Sequence, residues 1–156
     1  MLLAIYLNDH LAAATGGREL ARRAASRNRG SSYGPFMERL ATEIEQDRQS
    51  LLMIMRALEV RVDPVKVMVG WGAEKVARFK LNGRLLGYSP LSRLLELETL
   101  AAGLYAKRSL WRSLQLLDSE RLREADVDLW TLIQRAERQL EELEEHRERA
   151  TAEALA

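Results

Sequence analysis

The residues able to do chemistry are few, and they stand as interruptions in apolar helix faces. Large apolar side chains recur at Phe36, Leu40, Ile44, Leu51, Met55 and Leu58, the three-and-four spacing of one helix face. Asp47 falls where that face calls for another apolar residue, and Glu43 lies one turn before it. His10 and His146 interrupt the first and last apolar patterns in the same way, and Glu98 lies beside a third seam. Carboxylates and imidazoles gathered at one place could hold cations or move protons. Spread along separate seams, each instead needs a local partner, because an unpaired buried charge costs several kcal/mol. Asp47 is therefore expected to meet an arginine across the core. Counting from the helix ends puts His10 and His146 toward opposite ends of the molecule, against a single cluster. Gly70-Trp71-Gly72 lacks the spacing of a phosphate loop, and no nucleophile elbow is present. No catalytic, cofactor-binding or metal residue is assigned, and no cofactor is expected.

The elements that must position these residues are helices. Alanine, leucine, arginine and glutamate dominate the 156 residues, aromatics are 6%, and β-branched runs are scarce. The length suits one domain, 1–156. A net charge of +1 gives no overall pull toward nucleic acid or an anionic membrane. Without cysteine, disulfides, thiolate chemistry and Cys-based zinc sites are excluded. The apolar start MLLAIYL is broken by Asn8-Asp9-His10, too early for a signal peptide, and no window approaches the ~20 apolar residues of a membrane span. A cytoplasmic protein is expected.

A first helix is predicted over Leu2–Asn28, with Leu3, Tyr6 or Leu7, His10, Ala13, Gly17, Leu20, Ala21 and Ala24 facing inward. The small residues in its middle predict close approach of a neighbour, with Gly16-Gly17 as the packing point or a bend. Gly30 is expected to close it as a left-handed cap. Gly34-Pro35 opens a second helix running to about Arg61, since proline at the first helical position loses no needed hydrogen bond. Asp63-Pro64 opens a shorter helix to Leu81, apolar on two sides, with Val67, Trp71 and Leu81 off the main stripe. Ser89-Pro90 opens a third long helix to about Leu117. The last helix starts at Asp118 or Ser119, or after a break at Asp126, and its acidic end beyond Leu140 is expected to be solvated and partly frayed.

Four long helices and one shorter helix predict an all-α, four-helix bundle of two antiparallel pairs. The Pro64–Leu81 segment serves as crossover, so that the second and third long helices run parallel. In this pattern the chain resembles the ferritin-like superfamily. That resemblance implies a glutamate on each of two helices and Glu-x-x-His on each of the others, holding two metal ions. Here Glu43 is followed three places on by Gln46, and His146 has Leu143 at the matching place, with Glu142 one turn back. Asp9, Glu19, Glu96 and Glu98 supply carboxylates but complete neither motif. The resemblance thus implies a member without the di-metal centre.

Three functional readings follow. The first is a non-enzymatic binding or scaffold protein that self-associates, as a homodimer, or meets another protein through Val67, Trp71 and Leu81. The second is a ferritin-like metal-binding protein or oxidase with Asp47, Glu43, Glu98 and His146 as ligands. The third uses two basic clusters, Arg18-Arg22-Arg23-Arg27-Arg29 and Lys75-Arg78-Lys80-Arg84, on nucleic acid; they lack interleaved aromatics and read better as solvated faces. An apolar cavity between helices for a small ligand is a further use of such a fold.

Overall fold

The computed structural model of the chain describes residues 1–68 and 87–156. The described residues are all-helical, without strands. They form α1 (Leu2–Asn28), α2 (Gly34–Ala57), α3 (Pro90–Gln115), the short α4 (Glu120–Glu124) and α5 (Leu129–Leu155). Residues 64–68 are also helical. The remainder of the expected crossover, with Trp71, Leu81 and the second basic cluster, lies outside the described residues.

Side-chain bonds give the direction of each neighbour. Arg18 near the middle of α1 meets Glu45 near the middle of α2 at 2.8 Å, while Asn8 near the start of α1 reaches the Arg61 carbonyl beyond the end of α2 at 3.0 Å. Arg27, at the end of α1, bonds Glu96 near the start of α3 at 3.0 Å. Arg93 on α3 reaches Glu153 on α5, and Arg39 on α2 reaches Glu142 on α5, both at 2.8 Å. Each of these four helix pairs is antiparallel, so α2 and α3 run the same way.

Side-chain caps set the starts of α3, α4 and α5, while α1 and α2 start without one. Ser89 accepts from the Ser92 amide while the Ser92 hydroxyl accepts from the Ser89 amide, a reciprocal box ahead of Pro90. Asp128 caps α5 through the amides of Trp130 and Thr131. Both expected starts of the last helix are present, since Ser119 caps α4 before the chain restarts at Leu129.

Three details depart from the sequence reading. No glycine among the described residues has positive φ, so Gly30 is no left-handed cap. The α1–α2 turn is closed by the Ser31 amide on the Asn28 carbonyl and the Gly34 amide on the Ser31 carbonyl. Here Gly34 is the residue that fits, because an added Cβ would stand 2.8 Å from the Asn28 carbonyl oxygen. Secondly, α2 ends at Ala57, not Arg61. Val60 and Glu59 amides bond back to the carbonyls of Met55 and Arg56, and Glu59 takes φ 55° to allow it. Lastly, α5 does not fray. Leu143 and Ala150 are fully buried, and Glu142 and Glu153 are paired across to α2 and α3.

The core divides into two apolar halves. One gathers Leu20, Ala24, Tyr33, Phe36, Met37, Leu40, Ile44, Leu94, Leu97, Leu100, Leu104, Leu143 and Ala150. The other gathers Leu7, Leu11, Leu51, Ile54, Met55, Leu110, Trp111, Leu114, Leu132, Ile133 and Ala136. Val67 packs, partly buried, against this second half, so part of its surface is already covered by its own chain. Between the halves, every long helix contributes a polar residue: Thr15, Asp47, Lys107 and Gln139.

Candidate functional site: a central polar layer beside an apolar cavity

The polar layer is built from the interruptions in the apolar seams. Asp47 is 2% exposed, and both its oxygens are engaged. Lys107 from α3 bonds Oδ2, and Arg135 from α5 bonds Oδ1 at 2.9 Å. The expected arginine partner is therefore present, with a lysine added. Lys107 also donates to Gln139 Oε1 at 2.6 Å, and Gln139 Nε2 donates to Glu43 Oε2 at 2.7 Å. Arg138 closes the outer side of Glu43 at 2.8 Å. Thr15 hydroxyl accepts from Arg48 at 3.3 Å and donates to the Leu11 carbonyl at 2.8 Å. Burial lowers the Lys107 pKa below 10.5, and the Asp47 carboxylate opposes that shift.

The other candidates do not join this layer. His146 stacks on Phe36, with ring centroids 4.0 Å apart, and its Nδ1 lies 2.7 Å from the Glu142 carbonyl. It belongs to the opposite half of the core from His10, whose ring meets Tyr6 edge-on at 4.5 Å. Glu98 is exposed. Its neighbour Glu96 is the buried acid, taking Arg27, Arg23 and the Tyr88 hydroxyl. No three His, Asp or Glu residues among those described gather as a metal site. The first basic cluster is met by acids of the same chain: Arg18 by Glu45, Arg27 by Glu96 and Arg29 by Glu38.

Beside the polar layer lies an open-sided cavity of about 400 Å³ between α1, α2 and α3, with Ala13, Thr99 and Gly103 of its lining exposed. Ala13, Gly17, Leu20, Ile44, Leu51, Leu100, Gly103, Leu104 and Leu110 give it an apolar wall. His10, Arg23, Arg48, Glu96 and the Asp47–Lys107 pair supply polar points. Ala13 and Gly17 in the middle of α1 thus line this opening instead of a close helix contact, while Ala21, Ala24 and Ala25 are packed in the core. A Cβ added at Gly17 or Gly103 would meet nothing within 4 Å. Burial lowers the His10 pKa below 6.5, with Asp9 opposing it, so the imidazole on this wall favours its neutral form. Trp111 also lines the cavity, is 1% exposed, and its indole Nε1 has no acceptor among the described residues.

Sequence reasoning found Asp47 and Glu43 and missed Lys107 and Gln139. A signal was available. Lys107 sits between Leu104 and Trp111, and Gln139 between Ala136 and Leu143, each at the spacing where its seam calls for an apolar residue. The chain matches no protein-family model, no curated protein and no solved structure.

Proposed function

We propose that this chain is a non-enzymatic binding protein, a four-helix bundle with ferritin-like connectivity that takes a small apolar ligand between α1 and α3. The observation carrying this reading is the apolar cavity beside a carboxylate already neutralised from within. An apolar recess with a few convergent polar groups is the usual form of a small-ligand site. The ferritin-like arrangement is supported by the antiparallel pairings and the shared direction of α2 and α3. The metal-binding alternative draws on Glu43 and Asp47, one turn apart on α2. A cation there would have to displace Lys107 and Arg135 from Asp47.

Two measurements test the reading together. Dodecanol, a neutral single-chain probe, is expected to bind the folded chain at one site by calorimetry. Dialysis against manganous or ferrous ion is expected to leave less than one metal per chain. Stoichiometric metal with no dodecanol binding would reverse the assignment in favour of the carboxylate centre.

Self-association is the second part of the proposal, with another copy of this chain as partner. Leu2, Leu116 and Trp130 are 78%, 85% and 61% exposed. The helix directions bring the start of α1, the end of α3 and the start of α5 to the same end of the molecule. Exposed large apolar side chains gathered at one end favour contact with another surface.

A further inference from the structure

We propose that the cavity ligand is a single-chain amphiphile with a carboxylate head, such as a medium-chain fatty acid. Its carboxylate lies at Trp111 Nε1 and the Lys107 ammonium, and its chain runs past Gly103 toward Leu100. This rests on the cavity reading above and adds the ligand's chemistry to it.

Shape is the first argument. The α3 wall runs from Glu96 to Trp111, which at ~1.5 Å per residue spans about 22 Å. A volume near 400 Å³ along that length has room for a single extended chain. Its middle passes two glycines whose missing side chains leave open space.

Unanswered donors are the second. Trp111 is buried on the cavity wall with its indole N–H unbonded among the described residues, an unfavourable condition unless something accepts it. One turn away on the same face of α3, the Lys107 ammonium has three N–H bonds, and two are taken by Asp47 and Gln139. A carboxylate has the acceptor capacity for both.

Charge is the third. Each acid on the cavity wall is shared by two bases: Asp47 by Lys107 and Arg135, Glu96 by Arg23 and Arg27. Arg48 adds another cation to the lining. Among the lining residues Arg23, Arg48 and Lys107 outnumber Asp47 and Glu96 by one, with Arg48 also 3.7 Å from Glu45, a balance that suits an anionic head over a cationic one.

Calorimetry with dodecanoate and dodecanol, both below micelle-forming concentration, tests the inference. Dodecanoate is expected to bind once per chain, about tenfold or more tighter than dodecanol. Trp111→Phe is expected to weaken dodecanoate about tenfold and leave dodecanol unchanged. Gly103→Leu, which fills the channel, is expected to abolish both while melting no lower than the parent. Equal affinities for the two probes, or a Trp111→Phe variant that binds dodecanoate as before, would overturn the carboxylate head but leave the apolar cavity standing. A folded Gly103→Leu variant that binds both normally, or a parent chain that binds neither, would remove the site itself.

Discussion

Asp47 shows what a single buried carboxylate demands of its neighbours. Truncating it leaves Lys107 and Arg135 without their counter-charge in a layer closed above and below by leucines. Asp47→Ala is expected to cost about 3–5 kcal/mol in urea unfolding, because the desolvated cations lose the group that compensates them. Replacing the Asp47–Lys107 pair by leucine and methionine together is expected to cost less, since only the partly exposed Arg135 then loses its counter-charge. His10 gives a pH signature at the same scale. Its folded pKa lies below 6.5, so the unfolded chain binds the proton more tightly. Stability is therefore lost as pH falls below 6.5 and levels off beneath the folded value. Denaturant midpoints across that range should show this slope in the parent, and His10→Gln should flatten it. Tyr88 behaves in the opposite sense. Burial raises its pKa to about 12, with Asn28 and Glu96 on its hydroxyl. The folded chain then holds that proton longer, and alkaline stability declines between pH 10 and about 12. A Tyr88→Phe variant that kept the same decline would contradict the assignment.

At the scale of the element, the ends of helices carry the testable content. Glu59 closes α2 in the left-handed region without being glycine. Glu59→Gly should raise stability by about 1 kcal/mol, because the Cβ penalty disappears while its exposed contact with Arg121 is worth little. The two glycines of the α1–α2 turn should respond oppositely to alanine. Gly30 faces open space and should tolerate it, while Gly34 would press a methyl against two backbone carbonyls and lose about 1–3 kcal/mol. Thermal melts of the two variants separate these outcomes. The starts of α2 and α3 were legible because Gly34-Pro35 and Ser89-Pro90 act locally. Helix ends were less so: whether Gly30 or Gly34 matters depends on where the preceding helix leaves its carbonyls, which spacing along the chain does not specify.

Taken whole, the molecule is two apolar halves joined through a polar layer, with α1 and α3 held apart along the cavity. No helix among the described residues is long and apolar enough to cross a membrane. The exposed Leu2, Leu116 and Trp130 at one end lead to a prediction about assembly. The parent's sedimentation coefficient should rise with concentration, and Leu116→Glu should suppress the rise. A single value for both proteins at all concentrations would remove self-association.

The sequence by itself determined the helices and most of their inward faces, because three-and-four spacing, prolines and capping residues act over one or two turns. It also determined that Asp47 needs a cation, since that follows from burial and charge alone. Which cations answer it was decided only by the tertiary structure. Lys107 is 60 residues away and Arg135 is 88, and nothing local couples them to Asp47. The same holds for the cavity. Ala13, Gly17 and Gly103 are small whether two helices close on one another or stand apart, and the separation is set by the packing of all the long helices together.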